Sequence, residues 1–357
     1  MRVLPVTARH GFIRLRSVCW LAVIIGMAPA MAQDPSACPA IDDDALRLRC
    51  YDARAGRPVA APAAAALGPA PSTPAVATAA GPHQPSALGR RWELDAATRE
   101  GSFTFRPHRQ NYLMPLAHTN AVNTAPYQPT LDALAGAGLI EPTTLPVDPT
   151  EARFQLSLKV KVWEDLVPGR ADLWLGYTQQ SAWQVYNRET SSPFRNTDYA
   201  PEAMLAWRTD VDLAGWSWRV LTLGLVHESN GQSEPLSRSW NRVYADFGFE
   251  RGPFALSVRP WYRIPESAEK DDNPDLVRYM GHGDMVASYV SGGHQFGAVA
   301  RYNFSSGYGA GQLDWSFPLY GPLRGYAQVF SGYGYNLLDY NHRQTTVGLG
   351  FLLTDRL

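Results

Sequence analysis

The chain is short of charge. Asp, Glu, Lys and Arg make up 18% of its 357 residues, and the formal net charge is -1. Soluble proteins usually carry roughly 25%. Near-neutrality excludes the basic field on which nucleic-acid binding depends. Long apolar runs are also missing. Beyond Ala32 no stretch approaches the roughly 18 uninterrupted apolar residues of a membrane-crossing helix. Cysteine is scarce, with three residues. No G-x-S-x-G occurs, so the nucleophile elbow of an α/β-hydrolase is excluded. Aromatic residues with a polar edge are plentiful instead: 17 Tyr and 11 Trp, a balance that suits a membrane interface.

The first residues predict an export signal over 1–32. Arg2, Arg9, Arg14 and Arg16 form a basic start, and Trp20–Ala32 is apolar and ends in Ala30-Met31-Ala32, a small-residue cleavage pattern. An uncleaved anchor is the alternative, although the apolar stretch is short for one. Residues 33–54 read as a small module containing Cys38 and Cys50. An even remainder of cysteines in an exported chain favours a disulfide; two free thiols are the other reading. Residues 55–89 are rich in Ala and Pro and read as a linker. From 90 to 357 the composition becomes aromatic and alternating.

That alternation predicts an all-β chain. Phe154, Leu156, Leu158, Val160 and Val162 share one face of a strand, and Gln155, Ser157, Lys159 and Lys161 the other. Leu313, Trp315 and Phe317 oppose Gln312, Asp314 and Ser316. Val347, Leu349, Phe351 and Leu353 oppose Thr346, Gly348 and Gly350. Several runs last about nine to eleven residues, enough for a tilted strand to cross a bilayer, where soluble strands average about five or six. The expected fold is a transmembrane antiparallel β-barrel with a polar interior; a soluble β-sandwich is the competing architecture. Lipid tolerates no open sheet edge, so the sheet must close.

One strand ends unusually. Leu221, Leu223 and Leu225 form a lipid-facing row, and the next two positions of that row are His227 and Ser229. Across the loop "GQSEPLSRSW", Asn241 has the parity of Val243, Ala245, Phe247 and Phe249 and also points outward. Ser229 is a nucleophile if His227 takes its proton, and Asn241 can accept the second ring N–H of the imidazole. A neutral amide is cheaper to hold against hydrocarbon than a carboxylate. Gly231 allows close backbone approach and offers an N–H to an oxyanion. The bland alternative is that His227 and Ser229 belong to a polar loop leaving the membrane.

The stretch "HESNGQSEPLSRSWNR" (227–242) resembles the active-site signature of the outer membrane phospholipase A family. So, in family order, do "SSPFRNTDYAP" (191–201), "WYRIPES" with "DDNPD" (261–275), "YNFSSGYG" (302–309) and "FSGYGYNLLDYNHRQTTVGLG" (330–350). The resemblance implies twelve strands, an outer-membrane location, and hydrolysis of sn-1 and sn-2 acyl esters of phospholipids and lysophospholipids. It implies Ser229 as nucleophile, His227 as base and Asn241 as the orienting amide. It also implies a calcium-dependent homodimer, with calcium ligands at Ser191 (from the partner subunit), the Gln232 carbonyl, Ser237 and Asp272. Gln232 stands where arginine is frequent, and Glu234 where aspartate is common. Gln179 matches a residue buried between subunits. A non-catalytic barrel, a porin or structural protein, is the rival function.

Overall fold

The computed structural model describes residues 86–355, together with Cys38, Arg47, Leu48, Tyr51, Asp52 and Ala55. The export signal, the linker and Cys50 lie outside the described residues. Cys38 is disulfide-bonded, and Arg47, Leu48, Tyr51 and Asp52 are helical.

From Phe105 onward the chain is a meander of antiparallel strands. They are β1 (Phe105–Pro107), β2 (Asn111–Thr119), β3 (Thr150–Val167), β4 (Ala171–Trp183), β5 (Phe194–Leu213), β6 (Trp216–Ser229) and β7 (Ser239–Arg251). There follow β8 (Phe254–Ile264), β9 (Gly283–Ser291), β10 (His294–Asn303), β11 (Tyr308–Tyr320), β12 (Leu323–Tyr333) and β13 (Arg343–Thr354). β13 pairs with β2, and β3 pairs with both β2 and β4, so the twelve strands β2 to β13 close into a barrel. The short β1 pairs with β3 next to the β2–β3 ladder. No helix among the described residues is long and apolar enough to cross a membrane.

The alternation sorts as the sequence predicts. Leu156, Leu158, Leu223, Leu225, Leu313, Trp315, Val347, Leu349, Phe351 and Leu353 are exposed on the outer wall, while Ser157, Lys159, Asp314, Ser316 and Thr346 are buried inside. The pattern slips at one place. β3 carries an extra residue between Lys161 and Trp163 relative to β4. This bulge takes Val162 out of the outward row, and Trp163 becomes the exposed residue.

The two ends of the barrel differ. Tight turns join β3 to β4, β5 to β6, β7 to β8, β9 to β10 and β11 to β12 at one end; at the β5–β6 turn Gly215 has φ 80°, a conformation open to glycine without strain. Longer loops gather at the other end, where β2–β3, β4–β5, β6–β7, β8–β9 and β12–β13 are joined. In barrels of bacterial outer membranes the long loops are extracellular. Here they are tied together from inside. Arg195 pairs with Glu151 and Asp339, both at 2.9 Å, and Asp339 also accepts from Asn123 and Asn336. Trp240, Trp261, Leu276, Met280, Leu337 and Tyr340 form an apolar cluster near these loops. It seats the one-turn helix α3 (Leu276–Met280) of the β8–β9 connection.

Toward the tight-turn end, the segment before β1 enters the barrel. Helix α1 (Ala87–Trp92) begins inside the stretch that composition assigns to the linker. Ser86 caps it by accepting from the Gly89 amide at 3.0 Å. The Leu88 amide donates to Glu250 at 2.6 Å. The buried Glu93 pairs with Lys161 at 2.6 Å and Arg106 at 2.7 Å, and Arg219 reaches Asp95 at 2.9 Å. A second helix, α2 (Gln128–Gly136), lies in the β2–β3 connection. An interior cavity of about 310 Å³ is walled by groups such as Arg242, Tyr244, Arg259, Asp284 and Arg301. Such a lining suits water rather than an acyl chain.

Candidate active site

The end of β6 is locked in register by its inward residues. Glu228 accepts from the Trp240 indole at 3.1 Å and pairs with Arg242 at 2.7 Å. With Glu228 and Val226 turned inward, His227 and Ser229 continue the Leu223–Leu225 row on the outer wall. His227 lies directly opposite Asn241 on β7. Its Nδ1 is 2.9 Å from Asn241 Oδ1. Ser229 sits between Tyr199 of β5 and Ser239 of β7. No hydrogen bond joins the Ser229 hydroxyl to His227; such catalytic bonds commonly tighten only around a bound substrate.

Gly231 follows in a left-handed turn with φ 63°, and a Cβ added there would come within 3.3 Å of the Tyr199 ring. Both the turn and the close approach favour glycine here. The loop is held from below by Asn230, which is buried. Its Oδ1 accepts from the Arg238 amide at 2.9 Å and the Gln232 amide at 3.4 Å, and its Nδ2 donates to the Leu236 carbonyl at 2.8 Å.

Two of the expected metal ligands meet. Ser237 Oγ donates to Asp272 Oδ2 at 2.5 Å. The Asp272 loop is fixed on either side, because Asn273 Oδ1 accepts the Ser239 amide at 3.0 Å and Asp271 pairs with Arg263 at 2.6 Å. These oxygens, one of them a carboxylate, suit a hard cation. They are too few for its usual six to eight ligands, and no group of three His, Cys, Asp or Glu side chains among the described residues could hold a metal. Gln232 lies in the same β6–β7 loop. Ser191 does not join it in sequence or element: it sits on the exposed β4–β5 loop, with φ 61° and its amide donating to the Arg188 carbonyl at 3.4 Å. Gln179 lies on the outer face between Leu156 and Tyr199. It is already engaged within its own strand, accepting from the Tyr177 hydroxyl at 3.2 Å and donating to Ser181 at 3.3 Å.

A sequence profile of the phospholipase A1 family matches residues 88–353. The chain belongs to that family. It is 39% identical over 256 residues to the phospholipase A1 of Escherichia coli K12, covering 72% of this chain and 83% of the relative. Its fold matches the outer membrane phospholipase A of Escherichia coli with a TM-score of 0.64 at 39% identity, over 71% of this chain and all of that one. It also matches the outer membrane phospholipase dimer of Salmonella typhi, solved with bound calcium, with a TM-score of 0.65 at 37% identity, over 74% of this chain and 96% of that one. The barrel is therefore one of the bacterial outer membrane.

Two residues of this site, Asn230 and Glu266, lie within the stretches that carry the resemblance but are given no role there. Asn230 alternates inward and reads as an ordinary polar loop residue. Glu266, in "IPESAEK", lies just past β8, and its Oε1 accepts from Asn241 Nδ2 at 2.7 Å.

Proposed function

We propose that this chain hydrolyses the sn-1 and sn-2 acyl esters of phospholipids and lysophospholipids at the outer membrane, with Ser229 as nucleophile, His227 as base and Asn241 as the group that orients it. The observation that carries the reading is the in-register pair of His227 and Asn241 on the outer wall, 2.9 Å apart and beside Ser229. An imidazole held by its Nδ1 presents Nε2 for proton transfer. Nε2 takes the Ser229 proton as Oγ bonds to the ester carbonyl carbon. The Gly231 N–H meets the oxyanion. Collapse expels the glycerol alkoxide, which takes the proton back from His227 and leaves as an alcohol. Water, deprotonated by His227, then attacks the acyl-serine, and the fatty acid departs with Ser229 restored.

Ser237, Asp272 and the Gln232 carbonyl, with Ser191 of the partner subunit, would hold calcium. Bound there, the ion supplies positive charge for the developing oxyanion. A homodimer accounts for a donor set that one chain leaves incomplete, and Gln179 would lie in its interface. The calcium and the dimer in the Salmonella typhi relative support this reading. A porin function is disfavoured by an interior crossed by α1 and by ion pairs such as Glu93–Lys161.

The test is ester hydrolysis on phospholipid–detergent micelles, with calcium and then with EDTA. Release of fatty acid that stops on chelation and resumes on calcium addition is expected. Absence of hydrolysis with calcium present would sink the proposal.

A further inference from the structure

The third position of the proposed triad is an amide, and an amide has two ends. Asn241 could turn either Oδ1 or Nδ2 toward His227. The first orientation accepts a proton from Nδ1; the second would require Nδ1 to be the unprotonated nitrogen, which leaves Nε2–H facing Ser229 and no base. Something must choose. His227 cannot, because the neutral ring has one donor and one acceptor and can satisfy either end of the amide.

Glu266 makes the choice. It lies in the β8–β9 connection, two residues past Ile264, the β8 partner of Asn241. Its Oε1 is 2.7 Å from Asn241 Nδ2. A carboxylate only accepts hydrogen bonds, so the amide nitrogen must face it. Oδ1 is then left for His227 Nδ1, at 2.9 Å. The other oxygen, Oε2, is buried and has no hydrogen-bond partner. An oxygen held out of solvent without a partner is costly for a loop residue with no other role. The connection that carries it is firmly anchored, by the Trp261 indole on the Gly281 carbonyl at 2.9 Å and by Arg263 on Asp271.

We propose that Glu266 is a positioning residue of the ester hydrolase, extending the relay to Ser229, His227, Asn241 and Glu266. It fixes the amide so that His227 is protonated on Nδ1, and it places a negative charge one hydrogen bond behind Asn241. That charge polarises the amide oxygen toward the imidazolium that forms as Ser229 is deprotonated. A neutral amide touches the ring against the apolar outer wall, and the full charge sits one step away in the anchored loop. The inference rests on the proposed triad and adds a member to it.

Exchange of hydrogen-bond polarity tests it. Glu266→Gln can turn either end of its own amide to Asn241, so the bias and the charge are both lost. The expected result is a kcat lower by about tenfold, the scale of a hydrogen bond to a charged group, with KM unchanged. Asn241→Asp sets two carboxylates against each other and lowers kcat further. In the double variant Asn241→Asp with Glu266→Gln, the new amide donates to the new carboxylate, which still accepts from His227. That chain is intact again, and kcat should rise about tenfold above the Asn241→Asp single variant. Heat-modifiable migration on gels reports the folded barrel for each protein. Full kcat in Glu266→Gln, a loss confined to KM or to the folded fraction, or a double variant no better than Asn241→Asp overturns the assignment. Ser229→Ala separates this from the parent reading: if that variant keeps activity the triad itself fails, whereas an inactive Ser229→Ala beside a fully active Glu266→Gln removes only Glu266.

Discussion

The Lys159 ammonium lies 3.2 Å from the centre of the Trp92 ring and has no hydrogen bond. Trp174 offers a second face at 4.8 Å. The side-chain nitrogen is thus packed against aromatic faces inside the barrel, one of them brought by α1. Removing Trp92 leaves only the more distant Trp174 face and opens a hole; removing the amine strands nothing. Trp92→Ala should destabilise the barrel by about 3–5 kcal/mol, and Lys159→Met should be neutral or stabilising. Urea unfolding followed by gel migration distinguishes them. Equal destabilisation by both changes would contradict this account of the pair.

Ser229→Ala should abolish hydrolysis and leave a folded barrel, a loss on the order of 10⁶-fold in kcat if the nucleophile behaves as in other serine hydrolases. Asn241→Ala should be about a hundredfold less damaging, because an orienting group assists the base and forms no bond to substrate. Purified variants assayed on micelles decide it, and equal losses with equal stability would count against the division of roles.

Calcium sharing between subunits is tested by mixed dimers. Chains carrying Ser229→Ala are combined with chains carrying Ser191→Ala. The one intact triad then faces an unaltered Ser191 of the partner subunit, so activity should return to about half that of the wild-type dimer. Dilution in detergent should lower specific activity, and added calcium should partly restore it. A mixed dimer as inactive as the Ser229→Ala parent would show that Ser191 does not serve across the interface.

At the loop end, burial drives the Asp339 carboxyl up, but the Arg195 charge and hydrogen bonds from Asn123, Arg195 and Asn336 outweigh it and hold the group below its ordinary range. The folded value lies below the unfolded one of about 3.9. Its contribution is therefore fully present above that unfolded value and is lost as the pH falls through the folded one. Asp339→Asn should lower the thermal midpoint of gel-migration change near neutral pH, and the deficit should shrink as the pH falls through the acid range. A deficit that stayed constant down to about pH 2 would mean that the charge is not what matters.

Much of this was legible in the residues. Period two placed Leu223, Leu225, His227 and Ser229 on one wall because lipid and lumen impose opposite demands on successive side chains. The partnership of His227 with Asn241 followed from parity and a short loop. Val162 misled because a bulge depends on the neighbouring strand, which a local pattern does not contain. Glu266 was hidden because its role depends on where the end of a long connection folds back. Asn230 was hidden because a buried loop-holding amide and an exposed one look alike in sequence. The start of α1 at Ala87 was masked by the small residues around it, and only Trp92 and Glu93, seen against Lys159 and Lys161, show why the segment is held.

The outward placement of Ser229 has a kinetic meaning. The barrel interior is polar and partly filled by α1, so with Ser229 as the proposed nucleophile an ester would reach it sideways, by diffusion within the leaflet. The enzyme samples a film rather than a solution. Once membrane is in excess, lipid per millilitre ceases to matter, and the surface fraction of accessible ester sets the turnover. An inert amphiphile that thins that film should slow the reaction at constant bulk lipid. A water-soluble inhibitor has no route through the lumen either, and it must come to His227 and Ser229 along the outer wall or from the loop end.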